Sequence, residues 1–252
     1  MGVEREHDFI MAKSNAQGTS GFNISSEIKL TGIKKIVAER MKQSYLEAPH
    51  IHLELAVDMS EAATLRDKLN RQTHKDPHFT HTDLIVKAVA LTLVENPLLN
   101  AALNGDTILL IADVNIGIAV STDKGLIVPV LKNVEKLGLN EIARQRVGLV
   151  ERAKAGRQTI EDISGGTFTV TNLGMFGIES FRPILYPGQS GILAVGTIKD
   201  RIVGNSGGTV QTRPFMNVSV ACDHRVVDGS DAAVFLNALK QKLEQPAAML
   251  DQ

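Results

Sequence analysis

Residues 219–231 read SVACDHRVVDGSD. Val218, Val220 and Cys222 alternate with Ser219 and Ala221, the period of a buried strand. The run ends in Asp223, His224, Arg225 and Asp228, and then breaks at Gly229. Charge at the end of a buried strand is costly unless it is paired or functional. Two readings of His224 follow. An imidazole at a strand end beside a Gly-Ser turn can serve as a general base, with Asp228 four residues on and able to fold back toward it. It can equally belong to a structural ion-pair network.

Working outward, the next residues, 230–246, read as a helix capped by Ser230 or Asp231 and ended by Pro246. Upstream, FMNVSVAC (215–222) and SGILAVGTI (190–198) read as strands, with GNSGG (204–208) as a hairpin turn between them. GGTFTVTNLGMFG (165–177) predicts a strand running into a glycine-bounded loop. Thr167, Thr169 and Thr171 fall on one face, and Phe168 and Val170 on the other. A hydroxyl and an amide at a strand end, Thr171 and Asn172, can donate to a developing oxyanion. Threonine also favours strands and asparagine favours turns for unrelated reasons.

The first half predicts a helix over 32–48, with Ile33, Ile36, Val37, Met41 and Tyr45 on one side and Pro49 as its stop. A half-buried strand over 50–59 follows, then a helix that Ser60 caps. The segment 82–97 is apolar nearly all round, which places that helix in a core. Strands are predicted at 107–111, 115–120 and 125–131, and a helix from Leu139 to Gly156. Helices and strands mix without a regular βαβ series. That favours one α/β sandwich with a mixed sheet flanked by helices over a doubly wound fold.

The 252 residues suffice for a real core. A net charge of −1 gives no overall basic footprint for nucleic acid. Aromatics at 4% supply no base-stacking platform. Cys222 stands alone, so no internal disulfide forms. No apolar run approaches a membrane span, and the charged start is not a secretory signal. Residues 1–26 read as a flexible linker or an expression remnant. HIH (50–52) and HFTH (78–81) have no cysteine or acidic cluster nearby and read as surface histidines, so no metal site is expected. GQSG (188–191) is not a hydrolase elbow, and GNSGG is not a P-loop.

Together DHRVVDG (223–229), GGTFTVTNLGMFG, GQSGILAVG, STDKGLIVPVL and the GIKKIVAERM…PHIHL…VDM…LR opening resemble the catalytic domain of the dihydrolipoamide acyltransferases. These are the core components of 2-oxo acid dehydrogenase complexes. The likeness runs from about residue 28 to the end. It implies a chloramphenicol-acetyltransferase-like fold over residues 27–252, trimers assembled into a cage, and active sites between neighbouring subunits. It also implies transfer of an acyl group between dihydrolipoyl-lysine and coenzyme A, and cytoplasmic or mitochondrial-matrix residence. His224 matches the general base, Thr171 the oxyanion donor and Asp228 the supporting carboxylate, with Arg40 as that carboxylate's candidate partner. Asn172, Met175, Gly196 and Ile198 match positions lining the coenzyme A channel. Arg66 and Thr80 match its nucleotide end. The implied partners are a lipoyl domain and the decarboxylase and dihydrolipoamide dehydrogenase components. Two other functions are compatible with the motifs: a non-catalytic core or binding subunit, and a chloramphenicol-type O-acetyltransferase.

Overall fold

The structure, a computed structural model, describes residues 23–74, 76–123, 125–204 and 208–250. The chain divides into two units, 1–31 and 32–252. In the first, residues 23–31 carry neither helix nor strand, and most of the expected lead-in lies outside the described residues.

In the second unit the elements run α1 (Gly32–Glu47), β1 (His50–Asp58), α2 (Ser60–Gln72), α3 (His81–Glu95), β2 (Ala101–Asn104), β3 (Thr107–Leu110) and β4 (Ile116–Ile118). They continue with β5 (Val120–Thr122), β6 (Gly125–Ile127), β7 (Val130–Leu131), α4 (Leu139–Lys154), β8 (Phe168–Asn172), β9 (Gly191–Gly204), β10 (Val210–Asp223) and α5 (Gly229–Glu244). Six strands form one sheet in the order β1-β10-β9-β8-β4-β7. β8 runs parallel to β9 and β4, and the other pairs are antiparallel. The sheet is mixed, as the sequence predicts.

Alternation sorts the residues of this sheet. Val57, Val220, Leu193, Val195, Phe168, Val170 and Ile116 point to one face and join the buried core with residues of α3 and α5. The Phe168 and Phe235 rings pack there with centroids 5.8 Å apart. The opposite face carries small and polar residues in register. One row is His52, Ala221, Ile192, Thr169 and Gly117; the next is Glu54, Ser219, Ala194 and Thr171.

Several sequence expectations change. The 125–131 strand is two strands broken at Pro129, which has no N–H to donate to a ladder. The 115–120 strand also divides: β4 stays in the large sheet, while Val120 turns away to pair with Ile127. Thr107–Leu110 is a strand, but it forms an unforeseen hairpin with β2 and leaves Ile108, Leu109 and Leu110 exposed. The expected apolar stripe of α1 is buried only in part, with Val37 and Met41 half-buried. Ile36 and Tyr45 are exposed, and Ser44 and Ala48 make the buried contacts. Ser60 lies inside α2, and its hydroxyl donates back to Asp58 rather than capping. The N-cap of α5 is Asp228, two residues before Ser230 and three before Asp231; its N–H donates to Asp231 Oδ2 at 3.3 Å. His50, His52 and His81 are built into the fold rather than free at the surface. His50 Nε2 accepts the Leu185 N–H at 3.0 Å, which makes Nδ1 the donor to Ala48 O. GNSGG does join β9 to β10, with Gly204 opposite Val210, although 205–207 lie outside the described residues.

The tightest polar link between helices joins α4 to α3. Fully buried Asp83 takes Arg146 Nε at 2.6 Å and Nη2 at 3.1 Å. Arg146→Ala strands that carboxylate and is expected to cost about 3–5 kcal/mol in urea unfolding. Asp83→Asn/Arg146→Met, which strands no charge, should cost clearly less.

Candidate active site

Thr171 opens into a cavity of about 650 Å³ on the face of the sheet opposite α3 and α5. Its walls come from α1, from β6, from the 181–186 segment and from β8 and β9. Most of the lining is apolar. Among the described residues, Arg40 and Arg182 are its charged lining, and no carboxylate lines it. The three threonines of this face are used differently. Thr167 Oγ1 donates to Asn115 O at 3.2 Å, and Thr169 Oγ1 donates to Gln189 Oε1 at 2.7 Å. Among the described residues the Thr171 hydroxyl has no partner, so it alone is available to a ligand.

Beside Thr171, Asn172 Oδ1 accepts the Gly174 N–H at 2.8 Å and folds the chain into the loop that carries Met175, which is 77% exposed. Gly196 lies under that loop. A Cβ there would sit 1.9 Å from Glu179 O, so glycine is what lets the backbone close. Ile198 does not join this group. A bulge in β9 between the Val195↔Val218 and Ile198↔Met216 pairs turns Ile198 toward the helix-side core.

Arg66 and Thr80 meet in a second recess, of about 770 Å³, with Arg71, His74, His78 and His81. Thr80 caps α3: its N–H and hydroxyl both donate to Asp83 Oδ2, at 2.7 and 2.8 Å. Arg66 Nη2 donates to Asp67 at 2.5 Å, and Nη1 lies 3.2 Å from His81 Nδ1. Burial, and then the Arg66 charge, push His81 down to about 4. The guanidinium therefore faces a neutral ring at neutral pH.

His224 lies elsewhere. It follows β10, its N–H donates to Pro49 O at 2.8 Å, and its Nδ1 is 3.7 Å from Asp228 Oδ1. Both side chains are largely exposed, at 46% and 76%. Thr171 is in register with Ala194, and Ala194 with Ser219. His224 is thus two strands across and five residues along, roughly 20 Å from Thr171. The expected Arg40–Asp228 contact is absent within the chain, because Arg40 belongs to the Thr171 cavity. The carboxylate that holds an arginine here is Asp223, with Arg225. Cys222 is buried, its thiol pushed up to about 12 by burial and nearby carboxylates, and it is inert as a nucleophile. Sequence reading missed the 181–186 wall and the basic neighbours of Arg66. The first is an irregular segment without periodicity, and the second gathers residues from a helix and a loop.

No helix among the described residues is long and apolar enough to cross a membrane. The chain matches the 2-oxoacid dehydrogenases acyltransferase (catalytic domain) family over residues 22–251. It is 36% identical over 228 residues to the dihydrolipoyllysine-residue acetyltransferase component of the acetoin cleaving system of Bacillus subtilis, covering 90% of this chain and 57% of that one. To the mitochondrial pyruvate dehydrogenase acetyltransferase component of Schizosaccharomyces pombe it is 38% identical, covering 89% and 47%. The chain spans about half the length of these curated relatives. Among solved structures, the dihydrolipoamide acetyltransferase of Azotobacter vinelandii superposes with a TM-score of 0.87 at 29% identity, covering 96% of this chain and all of that one. A serine, a histidine and an asparagine have been investigated in that enzyme's mechanism, the last two four residues apart. Chloramphenicol acetyltransferase shares the fold, with a TM-score of 0.51 at 11% identity, covering 81% of this chain and 94% of that one.

The neutral ring of His81 makes stability depend on pH. Unfolded, the imidazole takes a proton near pH 6.5; folded, it resists until about pH 4. The unfolded chain binds more protons in that window, so this stability is full above pH 6.5 and is lost as pH falls toward 4. His81→Asn is expected to flatten the fall in melting temperature across that window relative to the parent chain. The family match, the shared fold and the relatives agree: the chain belongs to the 2-oxoacid dehydrogenase acyltransferase family, by its catalytic domain.

Proposed function

We propose that this chain transfers an acyl group between the thiol of a dihydrolipoyl group and the thiol of coenzyme A. The site is shared by two copies of a trimer, and trimers build the core of a 2-oxo acid dehydrogenase complex. One observation carries the reading: the free hydroxyl of Thr171 and the exposed imidazole of His224 lie too far apart to act on one thioester within a chain. A neighbouring copy can bring its His224 to the Thr171 cavity. The relatives support the class. They are named as acetyltransferase components of pyruvate and acetoin systems and as a branched-chain lipoamide acyltransferase, and a solved relative is a cubic core. The Azotobacter enzyme's histidine and asparagine have the spacing of His224 and Asp228, and its serine precedes the histidine by about fifty residues, as Thr171 does here.

The chemistry follows from the groups. A thiol with its pKa near ~8.5 is mostly protonated at neutral pH, and the thiolate is the nucleophile. His224 takes that proton as sulfur attacks the thioester carbonyl, help worth on the order of 10²–10⁴ in rate. The tetrahedral oxyanion accepts a hydrogen bond from Thr171. Collapse expels the other thiolate, which recovers the proton from His224. Asp228 faces the partner's Thr171 cavity, and there Arg40 offers it a guanidinium. The apolar cavity suits the lipoyl chain, and the basic recess at Arg66 and Thr80 suits coenzyme A phosphates. Asn172, Met175 and Gly196 shape the passage beside Thr171. Residues 27–252 act as the catalytic domain with 1–26 as its linker. A lipoyl domain, a decarboxylase and dihydrolipoamide dehydrogenase are its working partners, in the cytoplasm or the mitochondrial matrix.

The test is transfer from acetyl-, succinyl- and branched-chain acyl-CoAs to dihydrolipoamide, which also identifies the acyl group. His224→Ala is expected to lose at least 10²-fold, and Thr171→Ala about 10²–10³-fold. Co-expressing the two variants in equal amounts should restore about a quarter of wild-type activity, the share of interfaces that pair an intact Thr171 with an intact His224. No restoration refutes a shared site. An assembled wild type without transfer makes the chain a scaffold.

A further inference from the structure

The turn that carries His224 is held by more than its strand. Asp223 is 5% exposed. Its Oδ1 accepts the Arg225 backbone N–H at 3.0 Å and Nε at 2.9 Å, and its Oδ2 accepts Nη2 at 2.7 Å. Its carbonyl accepts the N–H groups of Val226 and Val227, both at 2.9 Å, and its own N–H donates to Ser190 O at 3.0 Å. Both valines are buried. Every residue from 223 to 227 is therefore tied down, and His224 is fixed by its backbone while its ring stays exposed. The fork closes over His224 in sequence: it joins the residue before to the residue after and leaves the imidazole between them projecting outward.

We propose that the Asp223–Arg225 fork is a positioning element for His224, with Arg225 setting where the base stands without touching substrate. This rests on the proposed role of His224. The geometry asks for arginine in particular. A planar guanidinium grips both carboxylate oxygens, whereas a lysine ammonium is a point charge that fixes no plane. The Asp223 side chain is 6% exposed, and Arg225 is the side chain that both of its oxygens take. Small displacements of a catalytic base matter, since misplacement by about 1 Å costs on the order of 10²-fold in rate.

The experiment separates positioning from simple stabilisation. Asp223→Asn/Arg225→Met removes both charges and strands neither, and Arg225→Lys keeps the charge but loses the plane. Each is purified as the assembled protein, its melting temperature and assembly size are measured, and transfer to dihydrolipoamide is assayed beside wild type and His224→Ala. The double variant is expected to assemble and melt near wild type, with kcat down about 10²-fold and both KM values unchanged within about twofold. Arg225→Lys should fall at least about tenfold in kcat. A folded double variant with wild-type kcat overturns the proposal. If the double variant does not fold, wild-type kcat in Arg225→Lys overturns it, and reduced kcat at unchanged KM supports it. Full transfer by His224→Ala overturns the role of His224 and this inference together. Loss in His224→Ala with full transfer in the fork variants overturns the inference alone.

Discussion

The pleat of one mixed sheet, covered by α3 and α5 on a single face, governs this molecule. Because side chains alternate across a strand, covering one face sorts the residues of β8, β9 and β10 into two populations on either side of the β9 bulge. Valine, leucine and phenylalanine go to the helices. Threonine, alanine, serine and Ile192 go to the other face. That second face forms only a small apolar cluster of its own, in which Ile192 and Ala221 pack with Ala48 and Leu185. It is partly roofed by α1 and by the 181–186 segment, with a cavity beneath them. The Thr171 hydroxyl lies there because the same alternation that buries Phe168 and Val170 turns Thr169 and Thr171 to the other face.

Within that population, hydrogen bonding decides what is structural. Thr167 and Thr169 are tied to Asn115 and Gln189. Thr171, one pleat further, has no such tie. The same distinction separates the residues around His224: Asp223 and Arg225 hold each other, and the histidine between them keeps its ring in the open. Asp228 caps α5, its N–H donating to Asp231, and its carboxylate lies 3.7 Å from His224 Nδ1.

The period-2 patterns of β1, β8, β9 and β10 and the apolar run of α3 were legible in the sequence, because local periodicity reports burial directly. Two kinds of feature were not. The exposed apolar surface of Ile36, Tyr45 and Ile108–Leu110 looks in sequence like core, since periodicity records that a side chain avoids water and not what covers it. The bulge that turns Ile198 away from Thr171 adds one residue to β9 and leaves no compositional mark. The site was legible only in part. His224, Asp228 and Thr171 stand out by type and position, but their separation is a matter of register across two strands. The walls of the cavity come from an irregular segment with no pattern to read.

The separation of Thr171 from His224 also bears on the life of a single chain. On the proposed reading, a newly made copy holds its oxyanion donor and its base far apart before it meets its neighbours. On the proposed reading it has no means of spending thioesters on water while it waits. On that same reading quaternary assembly works as a safety catch: the chain would become competent only when incorporated, and surplus unassembled copies would drain nothing from the acyl-CoA pool.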